Sequence, residues 1–422
     1  MGTALRFVLA GLLSSGMILG AGSAFGQAGS LDPTFGKGGK VTTSLGKNPS
    51  TGEPASVYSV GDAILQPNGS IVVLASNQVS FVLLRYLSNG TLDKTFGGTG
   101  IVTTPFNTDA LVLPHSLALQ SNGQIVAAGG GSGVFAVERL NTNGTLDTTF
   151  GTDGQVLTTF TTGLEATANA VLVQPNGKIL VAGVDTISGY HGGSTFPALA
   201  RYNSNGTLDT TFGSGGTVLA TGSNVSTDII GLDAAGDIFV VDYAGISEFT
   251  SAGVLDAEVT PATITTASGH GAINAFYSNG EFLASDEVVP VKHQEDEQVV
   301  RYTVTGAVDT TFSNAPFVFT GAGAPGYDYG GVTITSNGQI IVGGYYASGG
   351  FSTEVFGLAR LDSNGSLDTT FGSGGTVTTS FQNDDFIEAT LIQSNGDIVA
   401  VGITTKQSTG VGSLALARYL AN

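Results

Sequence analysis

A chain of 422 residues with a formal net charge of −19 argues against any track for nucleic-acid phosphates. It has neither cysteine nor tryptophan, which removes disulfides, thiolate metal sites, cysteine nucleophiles and indole platforms for sugar stacking. Charged residues are 11% of the chain against about 25% in typical soluble domains, so Ser, Thr, Asn and Gly must form much of the surface.

Residues 1–28 read as a secretory signal. Arg6 is the lone positive charge, Phe7 to Gly20 is mostly apolar, and the small residues Ala21, Gly22, Ser23 and Ala24 follow, with cleavage expected between Ala24 and Ala28. An uncleaved membrane anchor is the alternative, but the apolar run is short for a spanning helix and no later stretch is long enough. The product is expected to be secreted, periplasmic or at the cell surface, with no membrane span after cleavage. Residues 29–422 are expected to form a single domain and a monomer.

The rest of the chain repeats one phrase, clearest from Ser204 to Val218, where Leu208-Asp209-Thr210-Thr211-Phe212-Gly213 forms its centre. Close copies start at Ser88, Thr142 and Ser363, and a shorter one at Gly29. Weaker copies run from Thr305 to Phe312 and from Ala252 to Glu258. The aligned aspartates are 32, 93, 147, 209, 256, 309 and 368, a period of about 47 to 62 residues.

Each phrase is followed by a short alternating run such as Val41-Thr42-Thr43-Ser44, then a variable loop. A strand such as Ala63-Ile64-Leu65 comes next and ends in a turn, Gln66-Pro67-Asn68-Gly69. Asn-Gly between apolar runs predicts a hairpin, since both turn residues take positive φ. The partner strand, Ile71 to Ala75, a second loop, and a third strand, Phe81 to Tyr86, complete the unit. Four short β-branched strands per unit, repeated radially, predict an all-β fold: a seven-bladed β-propeller of four-stranded blades. A capped linear solenoid is the alternative. The chain starts with a spare short strand and stops after a third strand at Tyr419, so pairing of the N-terminal strand with the C-terminal blade is expected to close the circle.

The arginines follow the same logic. Arg85, Arg139, Arg201, Arg301 and Arg360 each precede by eight residues Asp93, Asp147, Asp209, Asp309 and Asp368. Arg418 has no such aspartate and Asp32 no such arginine, so these two are expected to pair across the closure. The fourth unit carries Glu248 instead of arginine and loses the Thr-Phe-Gly after Asp256, which puts its outer strand in doubt.

The string Leu208-Asp209-Thr210-Thr211-Phe212-Gly213-Ser214-Gly215-Gly216-Thr217-Val218, preceded by Ala200-Arg201-Tyr202 and Asn205-Gly206, resembles the bacterial delta-60 repeat. The resemblance covers nearly all of the chain after the signal. It implies secreted or surface-exposed bacterial proteins of propeller-like architecture and no established catalytic residues.

In a propeller both Asn-Gly turns of a unit share one face, and the variable loops share the other, where function is expected. All four histidines, His115, His191, His270 and His293, fall on that variable rim, as do Tyr190, Tyr327, Tyr329, Tyr345 and Tyr346 and the acidic run Asp286 to Glu297. Gly129-Gly130-Gly131-Ser132-Gly133 has no lysine and is expected to be a flexible loop rather than a phosphate cradle. Five residues before the Gln position stand Gly61, His115, Asn169, Asp228, Ala272, Gly330 and Glu388. If the first strand lines the channel, His115, Asn169, Asp228 and Glu388 ring its mouth as candidate ligand-binding residues, with His293 nearby. An oxygen-rich ring with one imidazole could hold a divalent cation; no other cofactor is implied.

The leading expectation is a non-enzymatic binding scaffold for an extracellular ligand, glycan or surface protein. The alternative is an extracellular polysaccharide hydrolase or lyase using Asp228, Glu388, His115 and His293 as acid and base. A purely structural adhesion module is the third reading.

Overall fold

The computed structural model describes residues 26–47, 54–106, 112–160, 165–187, 194–220, 229–232, 235–242, 245–259, 272–277, 281–288, 296–303, 307–313, 331–347 and 354–422. Among them every regular element is a β-strand, and the strands fall into seven antiparallel sheets. Unit 1 runs Ser59–Leu65, Ile71–Ser76, Phe81–Tyr86, Ile101–Thr104, each strand bonded to the next. Units 2 to 4 begin at Leu113–Leu119, Glu165–Val173 and Ile229–Leu232 and are also four-stranded. Unit 5, from Ala272–Phe276, has three strands among the described residues, and unit 6, from Val332–Ile334, has four.

Unit 7 is assembled from both ends of the chain. Asp384–Ile392, Ile398–Lys406 and Val411–Tyr419 supply three strands, and Lys40–Thr43 adds the fourth against the last of them, with Val41 opposite Leu416. Unit 4 does form an outer strand, Leu255–Val259, despite its degenerate phrase. It follows the turn directly, through an irregularity at Glu248/Phe249.

Burial explains the layering. Second and third strands such as Ile71–Ser76 and Phe81–Tyr86 are buried at every residue, because the sheet of unit 1 is covered on one face by unit 7 and on the other by unit 2. The short fourth strands are half exposed. The apolar core therefore lies between sheets rather than within one. Val126, Val137 and Phe150 of unit 2 meet Val181, Ala200 and Tyr202 of unit 3. Ile341, Phe356 and Phe371 of unit 6 meet Ile398, Ala415 and Tyr419 of unit 7.

The turns group at one end of each sheet. Gly69 and Gly90 have φ of 80° and 83°, but Asn68 and Asn89 do not take the positive φ expected of both turn residues. Gly69 N–H donates to the Gln66 carbonyl at 2.8 Å, so the chain makes a longer turn that ends in a left-handed glycine. The two turns of a unit lie side by side, since a Cβ on Gly69 would stand 3.3 Å from that of Ser88 and one on Gly338 3.1 Å from that of Ser363. The repeated Asn-Gly pairs thus share one side of each sheet, and the connections of variable length share the other.

Candidate functional site

On the turn side, the repeated phrase builds a joint to the next unit. In unit 1 the Asp93 carboxylate accepts from the backbone and hydroxyl of Thr95 with one oxygen and from Arg85 Nε at 2.8 Å with the other. Arg85 Nη1 reaches across to the Thr142 carbonyl of unit 2, and its guanidinium carbon stands 4.6 Å from the centre of the Phe96 ring. Phe96 in turn lies under Gly144 of unit 2, where any side chain would meet the ring at 2.9 Å, and Gly97 N–H donates to Asn143 O at 2.8 Å. Arg139, Arg201, Arg301, Arg360 and Arg418 repeat the reach, to the carbonyls of Ser204, Ser251, Ser363, Ala421 and Ser88. Arg418 Nη2 stands 2.6 Å from Asp32 Oδ2. Burial raises the pKa of Asp147, yet the bonds from Thr149, Arg139 and Gln124 outweigh it and hold the carboxyl at about 2. The aspartate oxygens and the arginine donors named are occupied in holding units together.

Away from the turns, the first strands carry β-bulges. The register skips Gly61, His115, Asn169 and Glu388 in units 1, 2, 3 and 7. Four of the aligned positions are therefore the extra residue of a bulge, a feature that recurs beside active sites because it re-aims a side chain. The partner strand pays with a glycine: a Cβ on Gly129, Gly183 or Gly402 would lie 2.0, 1.9 or 1.8 Å from the carbonyl oxygen of Leu113, Thr167 or Phe386. Gly61 is glycine because Pro114 O would meet a Cβ at 2.6 Å.

The residue after the bulge ties adjacent first strands. Asp62 accepts from Leu117 N–H of unit 2 at 2.8 Å, and Ser116 Oγ accepts from Val171 N–H of unit 3 at 3.2 Å. Burial raises the Asp62 pKa to about 6, against the lowering effect of its bonds from Leu117, Ala63 and Ser116. Burial lowers that of His115, which favours the neutral imidazole, a donor and acceptor together. Asn169 is half-buried and Glu388 is exposed. The Asp62 and Ser116 bonds tie the first strands of units 1, 2 and 3, so His115 and Asn169 stand on neighbouring strands, while unit 1 contributes only Gly61 between them and Glu388 of unit 7.

Several expectations need correction. His115 is in the strand Leu113–Leu119 rather than a rim loop, because the strand starts two residues earlier than the apolar pattern indicates. Tyr345 and Tyr346 belong to the strand Ile340–Ala347, where Tyr346 is buried and Tyr345 meets Phe386 edge-on at 4.9 Å. The Gly129–Gly133 stretch is a strand end and tight turn: Gly129 to Gly131 pair with Ala136 to Val134. In unit 5 the skipped residue is Asn274, two beyond the aligned Ala272. Asp228, Gly330 and His293 lie outside the described residues, as do His191, His270, Tyr190, Tyr327 and Tyr329. Among the described residues no group of three or more His, Asp and Glu side chains could hold a metal ion.

Four stretches, residues 66–96, 120–150, 174–212 and 335–371, match a family model described as a domain of unknown function (DUF5122) beta-propeller. Each begins at the Gln position and ends at the phenylalanine of the joint, so the matched block is one hairpin pair with its link to the next unit. Curated proteins gave no match. Among solved structures, "YCF48 bound to D1 peptide" is 10% identical with a TM-score of 0.48, covering 94% of this chain and 98% of that one. Dihydro-heme d1 dehydrogenase NirN in complex with DHE is 10% identical at 0.42, covering 93% and 75%. A gluconolactonase from Xanthomonas campestris is 13% identical at 0.35, covering 93% and 98%. The chain is a β-propeller repeat protein.

Proposed function

We propose that residues 29–422 form one closed seven-bladed propeller of delta-60-type repeats, exported through the 1–28 signal, that binds an extracellular ligand, glycan or surface protein without catalysing a reaction. Closure is supported by the packing of Val399, Val401, Leu414 and Leu416 of unit 7 against Val73, Ala75, Val82 and Leu84 of unit 1. The Arg418 bond to Ser88 O at 2.6 Å adds to it.

One observation carries the binding reading. The Arg–Asp pairs repeated on the turn side recur with the same chemistry in joint after joint, whereas the bulge positions differ in chemistry from unit to unit: Gly61, His115, Asn169, Glu388. A scaffold that keeps one side uniform and varies the other presents its recognition surface on the varied side. The arc at the bulges and the loops above it form that surface.

The test is a glycan and cell-surface array probed with the mature chain and with a variant carrying His115→Ala, Asn169→Ala and Glu388→Ala. Binding by the parent, lost in the variant at unchanged melting temperature, supports the reading. Turnover of an extracellular polysaccharide that disappears in Glu388→Gln would replace it with the hydrolase or lyase. No binding to any array member, together with no turnover, would leave a structural module.

A further inference from the structure

The repeat buries a glutamine just before the first turn: Gln66, Gln120, Gln174 and Gln393 are all buried. In unit 7 this side chain meets its own arginine. Arg418 Nη1 donates to Gln393 Oε1 at 3.0 Å as well as to Ser88 O of unit 1 at 2.6 Å. Unit 6 has Thr335 at that position. The shorter side chain turns back on its own hairpin, bonding Asn337 Oδ1 and the Gln339 carbonyl, the latter at 3.0 Å. Arg360 Nη1 keeps the Ala421 carbonyl at 2.7 Å, but among the described residues no amide oxygen takes the place that Gln393 holds beside Arg418. A cleft of about 650 Å³ opens at this joint, and Thr335, Arg360 and Gln393 all line it.

We infer that this cleft between units 6 and 7, on the turn side, is a second ligand site for a short neutral oligosaccharide. It lies on the side opposite the bulge arc and is independent of that reading. Its volume falls inside the roughly 300–1,000 Å³ typical of small-molecule sites. Asn337, Gln339 and Asn395 add amides to the wall, several hydroxyls stand between them, and no carboxylate side chain or aromatic ring lines it. Arg360 is already neutralised by Asp368 at 2.8 Å, so an anion finds no open counter-charge. A neutral polyol can use amide, hydroxyl and guanidinium N–H groups together, and one of its oxygens accepts from Arg360 as Gln393 Oε1 does from Arg418.

The test uses the mature chain, with maltotriose, cellotriose and chitotriose as probes in calorimetry and saturation-transfer NMR. Saturable binding of at least one trisaccharide is expected. Thr335→Gln restores the repeat's amide, fills the cleft and is expected to weaken that binding at least tenfold with no loss of melting temperature. Asn395→Ala, which leaves the cleft open, is expected to weaken it as well, and it decides the matter should Thr335→Gln fold poorly. Glu388→Gln is expected to leave it unchanged, which separates this site from the bulge arc. Absence of binding by all three probes, or full affinity in both cleft variants, overturns the inference.

Discussion

Asp32 and Arg418 stand near opposite ends of the chain, yet their side chains meet at 2.6 Å. Most of the surrounding contacts match those of the joints made within continuous sequence, with one difference: Arg418 Nε is buried without a hydrogen-bond partner, whereas Arg85 Nε donates to Asp93. Asp32 N–H donates to the Arg418 carbonyl at 2.9 Å, Arg418 Nη2 donates to Thr34 Oγ1 at 2.9 Å, and the guanidinium lies 4.8 Å from the Phe35 ring centre. The pair is at least as buried as Arg85–Asp93, with side-chain exposures of 9% and 8% against 9% and 11%.

Similar burial and the same ion pair imply comparable energetic weight. Removing one member of a buried, hydrogen-bonded pair costs about 3–5 kcal/mol, chiefly because the partner is left uncompensated. Arg418→Ala and Arg139→Ala are therefore expected to lose similar amounts in urea denaturation. A near-neutral Arg418→Ala beside a damaging Arg139→Ala would mean that the chain ends do not share a unit.

The joints also set the acid limit. Asp147 and Asp309 are held at about 2, below the ordinary 3.8; in Asp147 burial opposes the shift and hydrogen bonds win, and in Asp309 the bonds from Thr311 lead. A depressed folded pKa gives stability that is present above pH 4 and lost as pH falls through 2. The melting temperature is expected to drop most steeply between pH 4 and pH 2. Asp147→Asn should flatten that drop while lowering stability at pH 7.

Glu138 has the opposite sign. It is fully buried between units 1 and 2, accepting from Thr104 Oγ1 at 2.7 Å and Gln155 Nε2 at 3.1 Å, and burial raises its pKa to about 7 from 4.5. A raised carboxyl favours the folded state below pH 4.5 and loses that advantage as pH rises through 7. Glu138→Leu, which copies Leu84 of unit 1, is expected to gain about 1–3 kcal/mol at pH 8 and little at pH 4.5, on about 1.4 kcal/mol per pKa unit. Equal effects at both pH values would contradict the burial account.

Much of this fold was legible because its signals are local. Asn68-Gly69 and its copies mark hairpins, and the eight-residue spacing of Arg85 to Asp93 brackets one turn, so the pair meets without help from elsewhere. The third partner of each arginine was not legible: Thr142 O is 57 residues from Arg85 and comes close only through the packing of unit 2 on unit 1. The alignment did single out His115, Asn169 and Glu388 but did not reveal why they recur in register. The overlooked signal was the glycine in an otherwise apolar strand, Gly129, Gly183 and Gly402, which marks a bulge opposite. Glu138 escaped notice because a single carboxylate in an apolar strand carries no period.

Those glycines are testable. A Cβ on Gly183 would sit 1.9 Å from the Thr167 carbonyl oxygen, which no rotamer change relieves. Gly183→Ala is expected to cost about 1–3 kcal/mol by forcing the backbone apart. It should also impair array binding through Asn169, whereas Ala182→Gly, which adds no atom, should leave the bulge in place. Melting curves and the array read both outcomes.

The union of the chain ends can be read directly, because the chain has no cysteine of its own. Thr42 and Ala415 are opposite one another in the register of Lys40–Thr43 against Val411–Tyr419. In the double variant Thr42→Cys, Ala415→Cys, mild oxidation followed by intact-mass and peptide analysis is expected to give a monomer with an internal disulfide joining the two positions. Persistent free thiols, or disulfides found only between molecules, would contradict a ring closed by its own N-terminal strand.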